Sequence, residues 1–197
     1  MTQRIPLNKF AMVLKGTTPA PSVSSNEGVP FIGQSEVSGG GHAPLRRLQV
    51  LPDEDGPEPT YLQREDLVLS SLDSKRRVLM VSELIDGAVL GRECLAIRLD
   101  SSWRPVEPTF LLAWMKTEDF KCQADALATG TTMPRLTQRA LEAVQVPLLT
   151  PKHQERVTTM AKKFDAATAA LRLTLAQIEE LEGIELELAF LEDSHEG

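Results

Sequence analysis

The sequence of 197 residues is poor in cysteine and aromatic residues, with two Cys, two Trp, one Tyr and six Phe. It contains no run of about 18 apolar residues, and its first ten residues lack the apolar core of a signal peptide. Cys94 and Cys122 are 28 positions apart and have no His or Cys neighbours at metal-ligand spacing. We therefore predict a cytoplasmic protein with reduced thiols and no membrane segment. Its length suffices for one domain with a sizeable core plus an appendage.

The sequence also lacks the motifs of several enzyme classes. It has no nucleophile elbow for a hydrolase, and neither a Gly-rich cofactor loop nor an Asn-Pro-Pro-aromatic segment for a methyltransferase. His42, His153 and His195 are interpreted as surface residues. The acidic residues of a candidate nuclease site stand in a Pro/Gly-rich loop without a Glu-x-Lys strand to position a metal ion; they are Asp53, Glu54, Asp55 and Glu58. We predict no catalytic site, no metal site and no cofactor.

The net charge of −7 is unevenly distributed along the chain. Residues 1–150 hold 16 Lys and Arg against 18 Asp and Glu, whereas residues 151–197 hold 5 against 10. From Gln177 to Gly197 there are eight acidic residues and no Lys or Arg, so this segment should avoid phosphates. The first 150 residues therefore remain compatible with a nucleic-acid partner.

Basic residues cluster at two places in the first 150 positions, Arg46-Arg47 and Lys75-Arg76-Arg77. Either cluster is a candidate for contact with DNA phosphates, because Lys and Arg neutralise their charge. The alternative is that both are solvated charges in loops. An Arg that donates two hydrogen bonds to guanine contributes roughly 1–3 kcal/mol of discrimination. The first candidates for base readout are therefore the two long Gly/Pro-rich loops and the residues Arg46, Arg47, Lys75, Arg76, Arg77 and Arg92.

The segment ALATGTTMPRLTQ, residues 126–138, follows small residues with Gly, threonines, Pro and Arg. Its side chains bury little apolar area, so it is predicted to be exposed and suited to polar contacts. Thr131, Thr132 and Arg135 precede a predicted short helix, where free N–H groups and hydroxyls suit a phosphate oxygen. The alternative is a turn with a helix-capping threonine.

Up to about Thr150 the sequence alternates short apolar runs with Gly, Pro, Asp and Ser. The runs VPFIG, YLQREDLVLS, RVLMVSELI and AVLGRECLAIRL are typical of short strands. FLLAWMKTEDFKCQADAL has apolar residues at helical spacing and predicts one core helix. LTQRALEAVQ predicts a short helix before a strand-like VQVPLL. With long Gly/Pro-rich loops, residues 1–150 are predicted to form an irregular α+β domain.

A long helix is predicted from Pro151, with Thr150 as N-cap and proline at the first helical position. Apolar residues then recur every three or four positions in a coiled-coil-type stripe. From Pro151 to Glu182 the helix would measure about 48 Å, too long to be covered by a domain of this size. Part of the stripe therefore needs another helix. Gly183 is predicted to end the pattern, and IELELAFLE fits a strand or a second short helix.

Two segments carry a resemblance to a known family. KGTTPAPSVSSNEGVPFIGQSEVSGG resembles the opening of a target-recognition domain in the DNA-specificity subunit of type I restriction-modification systems. ATGTTMPRLTQRALEAVQVPLLTPKHQERV resembles the close of the same domain, with a short helix, a strand ending in Pro, and a Gln that begins a long helix. The matching positions are Gly130, Thr131, Thr132, Leu136, Leu141, Val146, Pro147 and Gln154.

The sequence departs from the family pattern in two respects. Specificity subunits contain two such domains in tandem, each with a long helix, whereas this sequence has one and no internal repeat. The family also has a segment rich in Pro-Leu-Pro before the Gln, where this sequence has PLLTP. The resemblance therefore implies a half subunit that pairs, because two linked domains gain affinity by effective concentration.

A symmetric pair implies a bipartite, palindromic target in double-stranded DNA. The resemblance further implies a DNA methyltransferase (modification) subunit as partner, a restriction subunit as a further candidate, and a role in phage defence. The alternative is a scaffold or regulatory protein of a DNA-modification complex that uses the helix for assembly without reading DNA sequence. Salt-dependent preference for one duplex pattern distinguishes the two.

These interpretations define two candidate sites, a DNA-binding surface in residues 1–150 and a dimerisation or partner-binding helix with an acidic tail in residues 151–197. The DNA-binding candidates are Arg46, Arg47, Lys75, Arg76, Arg77, Arg92, Thr131, Thr132 and Arg135. The interface candidates are Val157, Met160, Phe164, Leu171, Leu175, Ile178 and Leu181.

Overall fold

The computed structural model describes residues 2–17, 23–38, 46–49 and 58–193, with side chains for all of these except 23–27, 46–49 and 183–193. The strands are β1 (Arg4–Pro6), β2 (Ala11–Lys15), β3 (Val23–Ile32), β4 (Arg46–Gln49), β5 (Leu67–Ser70), β6 (Val78–Met80), β7 (Val89–Leu90), β8 (Cys94–Leu99) and β9 (Gln145–Pro147). The helices are α1 (Gln34–Ser38), α2 (Pro108–Met115), α3 (Glu118–Leu127), α4 (Gln138–Glu142) and α5 (Pro151–Asp193). The predicted fold class, an irregular α+β domain followed by a long helix, is confirmed.

The chain divides into two compact units, Met1–Glu155 and Arg156–Gly197. The first unit contains β1–β9, α1–α4 and the first residues of α5, and the second contains the remainder of α5. The assignment of residues 1–150 to DNA recognition and of 151–197 to pairing stays a prediction.

The strands described in the first unit form three small sheets. The largest is antiparallel throughout, in the order β2-β8-β5-β6. Its central strand β5 is buried along its whole length, because β8 and β6 cover both edges and apolar residues occupy both faces. A second sheet has the order β4-β3-β7, with β3 antiparallel to β4 and parallel to β7.

The third sheet pairs the two ends of the first unit, β1 with β9. Backbone hydrogen bonds extend this closure, from Leu7 N–H to the Val144 carbonyl (2.9 Å) and from Leu148 N–H to the Gln3 carbonyl (2.8 Å). The start of the chain is thereby placed beside the segment that leads into α5. Arg4 adds an ion pair to Asp119 of α3 at 3.0 Å.

The carboxylate of Asp119 also accepts a hydrogen bond from the indole N–H of Trp114 at 2.9 Å. Burial by itself raises the pKa of this carboxyl, but the hydrogen bonds from Arg4 and Trp114 outweigh it and lower the pKa below its ordinary value. Trp114 packs edge-on against Phe120 with ring centroids 5.4 Å apart. This cluster joins α2, α3 and β1.

The glycine of the Lys-Gly-Thr sequence at the end of β2 lies where two backbone segments approach each other closely. A Cβ on Gly16 would lie 1.9 Å from the Gly91 carbonyl oxygen, so no other residue fits at position 16 without movement of the backbone. Gly16 N–H donates to the Cys94 carbonyl, and Thr17 forms a bridge with Gly91.

Burial raises the pKa of the neighbouring Cys94 thiol to about 12, with further contributions from the Glu36 and Glu93 carboxylates.

The predicted single helix over FLLAWMKTEDFKCQADAL is wrong in one respect, because the structure divides it into α2 and α3. Thr117 has an extended conformation, and its N–H and hydroxyl both bind the Trp114 carbonyl. These bonds complete the last turn of α2 and start α3 in a new direction.

The helix α5 begins at Pro151 as predicted. The Thr150 carbonyl accepts hydrogen bonds from the N–H groups of His153 and Gln154. The predicted end near Gly183, with a strand or separate helix beyond it, is wrong, since α5 continues to Asp193. One glycine costs a helix about 1 kcal/mol relative to alanine, which the surrounding Leu and Glu residues offset.

Gln154, the glutamine of the second sequence motif, is buried. Its side-chain oxygen accepts from the Glu107 N–H at 2.9 Å, and its Nε2 donates to the carbonyls of Pro105 (2.9 Å) and Leu149 (3.0 Å). One amide therefore joins the first turn of α5 to the segment that precedes α2.

The most buried basic side chain of the Lys75–Arg77 cluster is Arg76, which lies in a tight turn with φ of 49°. Its side chain is 2% exposed, and Nε donates to the Asp125 carboxylate of α3 at 2.9 Å. Nη1 lies 3.5 Å from the Ser71 carbonyl oxygen. Arg76 thus connects this turn to α3, and the cation is compensated mainly by one carboxylate.

Asp125→Ala is expected to lower the free energy of unfolding by about 2 kcal/mol, because it leaves the buried Arg76 cation without its carboxylate, while the 57% exposure of the Asp125 side chain lets water replace part of that interaction. Chemical denaturation followed by circular dichroism measures the effect. The control is Glu118→Ala on the same helix, which removes an exposed carboxylate paired with Lys121 and should cost less than about 1 kcal/mol. Equal losses for the two variants would contradict a structural role for Arg76.

Candidate nucleic-acid interface

A groove of about 950 Å³ lies on the first unit and is rich in cations. Four basic side chains line it, against two carboxylates, and they come from three separate segments of the chain. The basic residues are Lys15, Arg92, Arg135 and Arg139, the acidic residues are Glu93 and Glu142, and further lining residues are Ser71, Leu95, Leu136, Thr137 and Gln138. We call this surface the basic groove.

The cations reach the basic groove because four elements end or turn there. Lys15 is the last residue of β2, and Arg92 lies in the turn between β7 and β8. Arg135 closes a turn by exchanging two backbone hydrogen bonds with Thr129, at 2.8 and 3.0 Å. Arg139 lies on α4. Arg135 and Arg139 are four residues apart, whereas Lys15 and Arg92 are distant from them and from each other in the sequence.

Ser71, directly after β5, holds the walls of the basic groove together. Its N–H and its hydroxyl both donate to the Glu93 carbonyl, at 2.9 and 3.0 Å. Its own carbonyl accepts from the Leu136 N–H at 2.9 Å. The backbone positions next to Arg92 and Arg135 are therefore set by hydrogen bonds to one buried residue.

The Glu93 carboxylate orients two arginines of the basic groove. One oxygen lies 3.3 Å from Arg92 Nε, and the other accepts a hydrogen bond from the Arg135 guanidinium. The guanidinium groups remain partly open to solvent, with side chains 69% and 45% exposed. Each guanidinium therefore keeps N–H groups that can donate hydrogen bonds to an incoming anion.

The turn at residues 129–135 contains the threonines of the sequence motif. Gly130 has φ of 108°, a conformation that side-chain-bearing residues rarely adopt, and a Cβ there would lie 3.1 Å from the Met133 carbonyl oxygen. Thr131 and Thr132 are exposed at the tip of this turn. The helix-capping threonine is Thr137, whose hydroxyl oxygen accepts from the Ala140 N–H at 3.2 Å.

No residue of the predicted cluster Lys75–Arg77 is among those that line the basic groove. Lys75 is exposed, and Arg77 pairs with Asp73 at 3.0 Å and donates to the Ser38 carbonyl. Burial alone raises the pKa of Asp73, yet hydrogen bonds from the Arg77 side chain and from backbone N–H groups lower it. Since the Arg76 guanidinium is buried and paired, we assign Arg76 a structural role and remove it from the proposed DNA contacts.

Arg46 and Arg47 are the first two residues of β4. Their side chains lie outside the described residues, so their proposed role in DNA contact stays a prediction. The sequence reasoning selected Arg92 and Arg135 but not Lys15 or Arg139. Lys15 and Arg139 each have uncharged neighbours in the sequence. Nothing in their spacing along the chain indicates that they lie close to each other in the fold.

No group of three or more His, Cys, Asp and Glu side chains in the described part of the chain is arranged to hold a metal ion. Within the same described residues, no helix is long and apolar enough to span a membrane.

Comparison with known proteins places the fold. No protein-family model matches the sequence, and no curated protein matches it either. Among solved structures, a chain from a study of complex assembly and conformational transition in the type I restriction-modification system aligns with 90% of this chain and 41% of its own length. The TM-score of that alignment is 0.63, at 18% sequence identity.

Two S subunits of such systems also match. The HsdS subunit from Thermoanaerobacter tengcongensis aligns with 86% of this chain and 38% of its own length, with a TM-score of 0.60 and 18% identity. The S subunit of the type I system from M. genitalium aligns with 84% of this chain and 39% of its own, with a TM-score of 0.57 and 12% identity. The chain thus spans about two fifths of the length of the proteins it matches. The resemblance predicted from two sequence motifs is confirmed at the level of the fold, which is that of part of a type I specificity subunit.

Proposed function

We propose that this protein is a sequence-specific, double-stranded DNA-binding subunit of a type I restriction-modification or related methyltransferase complex, and that it acts without catalytic residues of its own. The observation that carries the proposal is the likeness of 84–90% of the chain to part of type I specificity subunits. In this proposal a DNA methyltransferase subunit supplies the chemistry, with a restriction subunit as a further candidate partner in the cytoplasm.

The charge distribution supports DNA as the ligand of the first unit. The whole chain carries −7, yet the basic groove gathers four cations against two carboxylates. Salt screens charges beyond about 10 Å at ordinary ionic strength, so an approaching duplex responds to this local excess. The acidic end of α5 belongs to the second unit.

Pairing through α5 is the second part of the proposal. The predicted interface residues carry large exposed apolar side chains, with exposed fractions of 69% for Phe164, 72% for Leu171 and 60% for Leu181. Met160, Leu175 and Ile178 are exposed as well, and Val157 is half-buried. A continuous apolar stripe exposed on a helix is costly in water, and a second helix removes that cost. Two copies would supply two recognition domains and favour a bipartite, palindromic site.

The order of charges along α5 favours an antiparallel pair. Residues 151–172 contain five Lys and Arg against two acidic residues, whereas residues 173–193 contain seven acidic residues and no Lys or Arg. This order opposes the helix dipole, which favours acidic residues at the N-terminus and basic residues at the C-terminus. It does suit two helices in opposite directions, because the basic half of each then faces the acidic half of the other.

Specific DNA recognition is tested by selection from a library of random duplexes with the full-length protein, alone and co-purified with its methyltransferase. We expect enrichment of one two-part palindrome that binds about 10³-fold tighter than a scrambled duplex of the same composition. Affinity should fall as salt concentration rises. Equal binding of all duplexes, or none, in both preparations would refute the proposal and favour the scaffold alternative.

Pairing is tested with the double variant Leu171→Glu/Ile178→Glu, which places charge in the apolar stripe. We expect multi-angle light scattering to change from a dimer to a monomer at micromolar concentration. The control, Ala169→Glu/Leu173→Glu, adds the same charge about 200° around the helix from Leu171 and should remain dimeric. The first unit should unfold at an unchanged temperature in both variants. A wild-type protein that is monomeric both alone and with its partner and DNA would rule out this interface.

A further inference from the structure

We propose that the basic groove docks the sugar-phosphate backbone of duplex DNA and sets the position of the protein on the duplex without reading its sequence. This inference rests on the proposed function, since it takes duplex DNA as the ligand. It assigns direct phosphate contacts to Lys15, Arg92, Arg135 and Arg139, and a positioning role to Glu93.

The composition of the lining suits phosphate oxygens. Lysine and arginine donate hydrogen bonds and carry the charge that displaces counterions from DNA. Ser71, Thr137 and Gln138 add neutral polar side chains to the same wall. A second groove of about 620 Å³ gives the opposite picture, because its charged residues are Arg64 against the three carboxylates of Glu65, Glu83 and Glu107. That surface would repel the same duplex.

Two of the cations are held in position by other residues of the protein. Glu93 contacts both Arg92 and Arg135, and the Ser71 hydrogen bonds fix the backbone beside both residues. An arginine that is already oriented loses less side-chain entropy when it binds an anion. A phosphate can bind the free guanidinium donors while Glu93 retains its own contacts. The Glu93 carboxylate therefore orients the two arginines, and its single negative charge offsets only part of their positive charge.

The concave shape distinguishes backbone docking from base readout. Base edges lie at the floor of the major groove, about 8.5 Å deep, and are read by an element that protrudes into it. The phosphates lie on the ridges that flank the grooves of the duplex, and a concave surface accommodates a ridge. Contacts of this kind fix register and orientation but carry no sequence information. We therefore place base readout outside the basic groove.

The test uses the full-length double variant Arg92→Ala/Arg135→Ala and a mixed-sequence duplex of about 30 base pairs, long enough for non-specific contact. The matched control is Arg64→Ala/Arg104→Ala, which removes two arginines that also pair with exposed glutamates, Glu83 and Glu65. Dissociation constants are measured by fluorescence anisotropy between 50 and 200 mM salt. The unfolding temperature of each variant confirms that it is folded.

Wild-type affinity should decrease with salt by a factor of about 3.5 per phosphate contact over this range. The Arg92/Arg135 variant should therefore lose about tenfold less affinity across the salt range than the wild type. Its discrimination between the selected and the scrambled duplex should be unchanged. The control variant should retain the wild-type salt dependence. Lys15→Gln, a change at an exposed strand end, should reduce the salt dependence by the equivalent of one phosphate contact. This variant replaces the double variant in the test if the double variant does not fold.

The outcomes separate this inference from the proposed function. An Arg92/Arg135 variant with wild-type salt dependence would overturn the groove assignment, while a selected palindrome would still support the function. A reduced salt dependence without preference for any duplex would support the groove and refute sequence-specific recognition. Loss of methyltransferase binding with unchanged duplex binding would identify the groove as a protein contact and overturn the inference.

Discussion

The hydrogen bonds of Ser71 are the constraint on which the candidate interface depends. This residue follows β5, the central and fully buried strand, and it binds the Glu93 backbone on one side and Leu136 on the other. The turn with Arg92 and the turn with Arg135 therefore meet at a rigid point of the core. Because the cations are carried by turns fixed at this point, their arrangement follows from the sheet and not from the turns alone.

The structure separates basic residues that support the fold from basic residues that are free to bind. Arg76 is buried against Asp125, and Arg4 joins β1 to α3. Arg92 and Arg135 are oriented by one carboxylate but keep solvent-exposed donors. Net charge describes neither group well, because electrostatic effects at ordinary salt depend on charges within a Debye length of the ligand. An acidic protein can thus carry a surface with a local excess of positive charge.

The local features of the fold were predictable from sequence where one interaction dominates. Pro151 after Thr150 predicts the start of α5, and short runs rich in Val, Ile and Leu predict strands such as β5 and β8. The errors lie where neighbouring interactions compete. Thr117 binds the last turn of α2 and divides a continuous apolar pattern into two helices. Gly183 does not end α5, because one unfavourable residue is outweighed by the helix formers around it.

The sequence by itself determined most of the short strands, the start of the long helix and the two motifs that resemble a specificity subunit, since these depend on residues close together in the chain. Only the tertiary structure decided that Lys15, Arg92, Arg135 and Arg139 share one groove, and that Arg76 does not face solvent. The physical reason is that such proximity arises from strand pairing between distant segments, β2 with β8 and β8 with β5. Spacing along the chain contains no record of it.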